Sequence, residues 1–180
     1  MPAARPRKLG HLVLQVRDIH KSVEFYTEIV GLTVSDWIAD QMVFLRCGPD
    51  HHDLGLAQLP PEEAARPPRQ VGERAGLEHF SYEVGGLEEL EAAADFLAER
   101  DVEIVRGIGK HGPGENLFLV FLDPDGNYVE FYADMVKVDA DHPHQAQVWD
   151  DTVEAYDQWR FERFRVPAPA LYEEKAEGRP

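Results

Sequence analysis

KHGPGENLFLVFLDPDGNYVEFYAD, residues 110–134, reads as a strand, a tight turn and a second strand. The turn is Asp123-Pro124-Asp125-Gly126-Asn127. Proline presets one backbone angle there and glycine permits the bend, so a hairpin follows. The second strand, Tyr128-Val129-Glu130-Phe131-Tyr132, alternates faces with a period of two. Glu130 therefore shares a face with Tyr128 and Tyr132, and Val129 and Phe131 share the other. A carboxylate among aromatics on a covered strand is costly unless it is paired, protonated or bound to a cation. The alternative is an edge strand whose glutamate faces water. This stretch leaves both readings open.

Working outward, the hairpin closes a unit that occurs twice. Leu9–Val16 reads as a strand and Asp18 as the N-cap of a helix with Val23, Tyr26, Ile29 and Val30 at helical spacing, ended by Gly31. Strands follow at Leu32–Ile38, Met42–Cys47 and, after Gly48-Pro49-Asp50, His51–Ala57. After a stretch rich in proline and charge, the pattern returns. Leu77–Val84 reads as a strand, Leu87–Arg100 as a helix with Leu90, Ala93, Ala94 and Leu97 on one face, and Val102–Ile108 as a strand before the hairpin. Both halves are βαβββ. Leu9-x-His11 aligns with Leu77-x-His79, and Pro49-Asp50 with Pro124-Asp125, which sets Gly55 opposite Glu130. The expected organisation is an N-terminal extension (1–7), a first module (8–59), an exposed linker (60–76), a second module (77–135) and a C-terminal helical or lid-like tail (136–180). The fold class is α+β, with paired modules burying their apolar faces around a shared cleft.

Composition narrows the function. The chain has 180 residues, 34 acidic against 18 basic, and a net charge of −16. Nucleic acid and anionic membrane both need a basic surface, so neither is expected as a partner. The single cysteine, Cys47, excludes an internal disulfide and a multi-cysteine zinc site, and reads as a buried small side chain. No apolar run approaches the roughly 18 residues of a membrane span, and MPAARPRKLG lacks the apolar core of a secretory signal. A soluble cytoplasmic protein is the expectation.

His11, His79 and Glu130 stand out as chemistry-bearing residues. A strand histidine is usually a satisfied core or surface residue. Two at equivalent places, with a carboxylate on the last strand, supply the two-histidine, one-carboxylate set that holds ferrous iron and leaves coordination positions free. Manganese and zinc use the same ligands. His51-His52 after a Gly-Pro-Asp turn and His111 in Lys-His-Gly-Pro-Gly also read as simple polar loops. Arg160, Arg163 and Arg165 read as a solvated charged face or as a carboxylate-binding lid.

The paired βαβββ pattern with GHLVLQV, LEHFSYEV and DPDGNYVEFY resembles the vicinal oxygen chelate superfamily over residues 8–135. That superfamily includes glyoxalase I, extradiol ring-cleaving dioxygenases, fosfomycin-resistance enzymes and methylmalonyl-CoA epimerase. The resemblance implies an open, incomplete barrel around a metal site, with His11, His79 and Glu130 as ligands to Fe(II), or to Mn(II). Gly55 falls where glyoxalase I and the epimerase supply a fourth ligand, with Asp53 and Gln58 close enough to restore it after a small register shift. FLRCGPDHHDLGLA resembles the His-His stretch of the extradiol branch. His52 would then be the acid–base and His111 the residue that hydrogen-bonds the bound substrate oxygen. The family's tyrosine ten residues before the glutamate is Val120 here, which cannot donate a hydrogen bond. Tyr128, on Glu130's face, is the candidate substitute. The implied activity is ring cleavage of a catecholic diol with O2, as in aromatic hydrocarbon catabolism. Two-module chains of this size often bury an edge or face against a second copy, so a homo-oligomer (dimer or higher) is expected. The alternatives are a metal lyase, isomerase or thiol transferase of the same superfamily, and a non-enzymatic binding protein.

Overall fold

The structure, a computed structural model, describes residues 7–68, 70–72 and 75–159. Arg160, Arg163 and Arg165, and the chain end from Pro167, lie outside the described residues. The chain divides into two compact units, residues 1–69 and 70–180.

The first unit runs β1 (Leu12–Val16), α1 (Ile19–Glu28), β2 (Thr33–Ile38), β3 (Met42–Arg46), β4 (Leu54–Gln58) and α2 (Pro61–Ala64). Its four-stranded sheet has the order β1-β4-β3-β2, with β1 and β4 parallel and the rest antiparallel. Asp18 caps α1 by accepting from the His20 and Lys21 amides at 3.1 and 3.2 Å, which satisfies two donors that the helix itself leaves open. The helix then lays Ile19, Phe25 and Tyr26 on β3 and β4, whose Val43, Leu45, Leu54 and Leu56 are fully buried. Each such side chain stabilises the unit by about 1.5–3 kcal/mol.

The second unit repeats the design with β5 (His79–Glu83), α3 (Leu87–Glu99), β6 (Ile104–Lys110), β7 (Leu117–Leu122) and β8 (Tyr128–Ala133), and adds α4 (Val153–Tyr156). Its sheet order is β5-β8-β7-β6, again with the first and last strands parallel. Leu90, Ala94 and Leu97 of α3 pack on β6, β7 and β8. The β7–β8 turn is locked by Asp123, whose carboxylate accepts from the Asp125 and Asn127 amides and from the Asn127 side chain, all within 2.9 Å. Gly126 takes a φ of 80° there, in the left-handed region that costs glycine little. Both sheets are open rather than closed on themselves. The fold is the α+β arrangement of paired βαβββ modules.

Some boundaries differ from the sequence pattern. β1 begins at Leu12, because its partner β4 begins only at Leu54 and nothing extends the pairing to Leu9. His51, His52 and Asp53 precede β4 rather than forming its start, since the Asp53 carboxylate is used to cap the Cys47 and Gly48 amides at 2.9 and 3.2 Å. Cys47 is exposed, not buried. Partial burial and the Asp53 carboxylate it faces push its thiol pKa up, away from thiolate character. The stretch between the modules carries one helical turn, α2. Among the described residues no helix is long and apolar enough to cross a membrane.

Candidate active-site residues

In the second unit, β8 is an interior strand and Glu130 is only 3% exposed, which removes the water-facing edge reading. Strand register explains what surrounds it. Ser81 on β5 and Val120 on β7 are its cross-strand partners, and His79 lies opposite Tyr128. Residues 79 and 81 of β5 thus share a face with 128 and 130 of β8. The Ser81 hydroxyl donates to Glu130 Oε1 at 2.8 Å. Glu130 Oε2 is buried without a hydrogen-bond partner and lies 3.8 Å from His79 Nε2. The other ring nitrogen of His79, Nδ1, is bonded to the Glu78 carboxylate. A carboxylate that takes its proton-bearing nitrogen leaves Nε2 as the lone-pair nitrogen facing Glu130, the arrangement that orients a metal-binding histidine.

The orphaned oxygen is the observation that tests the implied metal. A buried carboxylate oxygen with no donor is costly, and a divalent cation shared with the imidazole lone pair at its side would satisfy it. Oxygen and imidazole together suit iron, manganese or zinc. The residues present fit such an ion, although within either unit, among the described residues, no three His, Cys, Asp or Glu side chains come together as a metal-holding group.

His111 follows β6, and its amide closes the β6–β7 connection on the Asn116 carbonyl at 2.9 Å. Its ring stacks on Phe118 with centroids 4.3 Å apart, and its Nδ1 donates to the Tyr156 carbonyl at 2.7 Å. Burial pushes the imidazole pKa below its ordinary value. The Tyr156 bond opposes that and the Arg106 guanidinium adds to it. Val120 is buried against the glutamate's face as an apolar wall, and Tyr128 places a phenol on that same face.

In the first unit, His11 sits exposed one residue before β1, with its ring centroid 4.6 Å from that of His52. His52 also packs on Phe44 at 4.9 Å. A chain of polar contacts reaches it: Asp36 Oδ2 accepts from His51 Nε2 at 2.8 Å, and His51 Nδ1 meets His52 Nδ1 at 3.0 Å. For neutral rings, the carboxylate claims the His51 proton at Nε2, so His51 Nδ1 accepts from His52 Nδ1–H. His52 Nε2 is then the lone-pair nitrogen. The fourth-ligand question has a definite answer. Val13 pairs with Gly55 as Ser81 pairs with Glu130, so Gly55 holds the equivalent position and brings no side chain. Gln58 is spent on the Ile19 amide and the Arg17 and Leu59 carbonyls, and Asp53 on the Cys47 turn.

Ser81, Asp36 and Glu78 were not singled out by sequence reasoning. Only Ser81 carried a signal, being two residues from His79 and so on its face. His20 stacks on Trp37 at the surface, and His142 and His144 are exposed.

Residues 8–131 match the profile of the Glyoxalase/Bleomycin resistance protein/Dioxygenase superfamily. The metapyrocatechase 2 of Cupriavidus necator is 30% identical over 146 residues, which are 80% of this chain and 40% of that one. The chain thus spans about 40% of the length of this relative. The glutathione transferase FosA of Serratia marcescens is 32% identical over 129 residues, covering 70% of this chain and 80% of that one. Among solved structures, a lactoylglutathione lyase from Agrobacterium tumefaciens superposes with a TM-score of 0.55 at 21% identity, over 72% of this chain and 96% of that one, which shows the shared fold.

Proposed function

The chain belongs to the glyoxalase/bleomycin resistance protein/dioxygenase superfamily, and on that premise we propose that it is a metal-dependent extradiol dioxygenase opening the ring of a catecholic diol with O2. The observation that carries the reading is the buried, unpartnered Glu130 Oε2 beside His79 Nε2. The metapyrocatechase 2 at 30% identity supports it. His11, His79 and Glu130 would hold Fe(II), for which Mn(II) could substitute. When bound, the metal supplies a template for the two diol oxygens, a Lewis acid and a path for electrons from catecholate to O2. Ser81 and Glu78 fix the orientation of the carboxylate and the imidazole. His52 takes and returns a proton at Nε2, with His51 and Asp36 behind it holding the tautomer. His111 hydrogen-bonds a substrate oxygen through Nε2. Tyr128 supplies the phenol that Val120 cannot.

The test is oxygen uptake by protein purified anaerobically and reloaded with Fe(II), over catechol and its 3- and 4-substituted forms. Near-stoichiometric iron with oxygen consumption and a yellow ring-opened product is the expected result. Iron-loaded protein that consumes no oxygen across the panel would sink the proposal. Two observations favour a second reading, thiol transfer or lyase chemistry on the same ligands: the apolar Val120, and the transferase of which this chain covers 80%. Activity with Ni, Mn or Zn and without oxygen consumption would establish it.

A further inference from the structure

The chain after β8 does more than trail from the second unit. Between residues 149 and 159 it lies along the rim formed by Lys110, His111 and Gly112 and bonds to each of them. The Gln158 amide donates to the Lys110 carbonyl at 2.7 Å, and the Gly112 amide donates to the Ala155 carbonyl at 3.1 Å. The Asp157 carboxylate, fully buried, accepts from the amides of Lys110 and Trp159 at 2.9 and 3.0 Å. In the middle of this ladder the Tyr156 carbonyl accepts from His111 Nδ1. The fit is close. A Cβ on Gly109 would lie 2.9 Å from the Asp157 carboxyl carbon, and one on Gly112 would lie 2.8 Å from both the Glu154 carbonyl and the Trp149 ring. His111, Trp149, Ala155 and Tyr156 together wall a cavity of about 490 Å³.

We propose that residues 149–159 form a strap that positions His111, with Asp157 as its anchor. A carbonyl oxygen only accepts, so the Tyr156 bond forces the proton of a neutral His111 onto Nδ1 and leaves Nε2 as the acceptor. The Phe118 ring holds one face of the imidazole and the strap holds its Nδ1 edge, so rotation and tautomer are both set before substrate arrives. Asp157 is a positioning residue. Its carboxylate accepts from the Lys110 and Trp159 amides, and it acts by keeping the Tyr156 carbonyl in register with the rim. Burial of the ring, which favours its neutral form, supports the assignment. The inference rests on the proposed role of His111 in binding substrate, and it adds the device that prepares that residue.

The test uses the metal-free full chain with ¹⁵N-labelled histidine rings, His111 being assigned by its disappearance in His111→Gln. Wild type should show His111 as a single Nδ1–H tautomer. Asp157→Asn removes the anchoring charge, and Gly112→Ala wedges the strap away while leaving both Asp157 and His111 intact. Each should bring in the Nε2–H tautomer. In iron-reloaded protein the same two variants should lose on the order of 10-fold to 100-fold in kcat with little change in KM. A wild-type His111 protonated at Nε2 overturns the proposal outright. So do folded strap variants that keep the wild-type tautomer, or that lose it without slowing turnover when His111→Gln does slow it. If His111→Gln leaves oxygen uptake unchanged while the tautomer results stand, the failure belongs to the proposed role of His111 and not to the strap.

Discussion

Replacing Glu130 with methionine should stabilise the metal-free chain and abolish its response to metal. Glu130 is 3% exposed, one oxygen is bonded to Ser81 at 2.8 Å, and the other has no hydrogen-bond partner. An unpartnered buried polar group costs about 1–3 kcal/mol. Methionine fills a similar volume with no polar atom to desolvate. The lost Ser81 bond returns part of that gain, about 0.5 kcal/mol, because Ser81 is exposed and its hydroxyl can turn to water. The net effect is about 0.5–2.5 kcal/mol of added stability, or about 1–10 °C in Tm for a chain of this length. Ligand binding adds the opposite asymmetry. Metal at about 100 times its Kd stabilises wild type by about 2.7 kcal/mol and leaves the variant where it was. Calorimetric melting with and without chelator, then with Fe(II) or Mn(II), reads both effects. A metal-free Glu130→Met protein that melts below wild type, or one that gains as much from metal as wild type does, would mean that Glu130 is not an uncompensated carboxylate kept for a metal.

Four other outcomes follow from the same geometry. His52→Gln should lower kcat by about 10²–10⁴-fold with iron content unchanged; loss of iron instead would make His52 a ligand. Gln58→Ala breaks three hydrogen bonds that join Arg17, Ile19 and Leu59, so it should cost about 1–3 kcal/mol in urea unfolding. It should leave metal stoichiometry untouched, since Gln58 is not a ligand. The depressed His111 pKa makes the unfolded chain bind a proton that the folded chain refuses. Stability is therefore full above about pH 6.5 and falls as the pH drops through the lower folded value, a slope that His111→Gln should flatten in pH-dependent melts. Asp36→Asn loosens an exposed contact to His51, so stability should move by less than about 0.5 kcal/mol while the pH–rate profile shifts if the relay holds His52.

Much of this was legible in the residues themselves. The Asp123–Asn127 turn carries its chemistry locally, and the period-two pattern assigned Glu130 and Val129 to opposite faces before any partner strand was known. The repeat predicted the equivalence of Gly55 and Glu130, which the Val13–Gly55 and Ser81–Glu130 registers reproduce. What stayed hidden depends on where the backbone goes. Asp53 looked like part of a strand because nothing in its neighbours shows that its carboxylate serves two amides of the preceding turn. Cys47 looked buried for its residue type alone, and its exposure follows from that turn. The strap was hidden most completely. Its ladder to Lys110 and Gly112 is made largely by peptide groups, which every residue has, so the polar sequence around Asp157 reads as an ordinary lid or loop.

Ring cleavage of the proposed kind places both atoms of O2 in the product, so ¹⁸O₂ labelling separates it from the other chemistries of the superfamily. Anaerobically iron-loaded protein, mixed with catechol under ¹⁸O₂, should yield a ring-opened product carrying two labelled oxygens, with Glu130→Met yielding none. Iron-loaded wild type that leaves the catechol intact, or a product that takes its new oxygen from water, would contradict the account and move the chemistry to the thiol-transferase or lyase side of the superfamily.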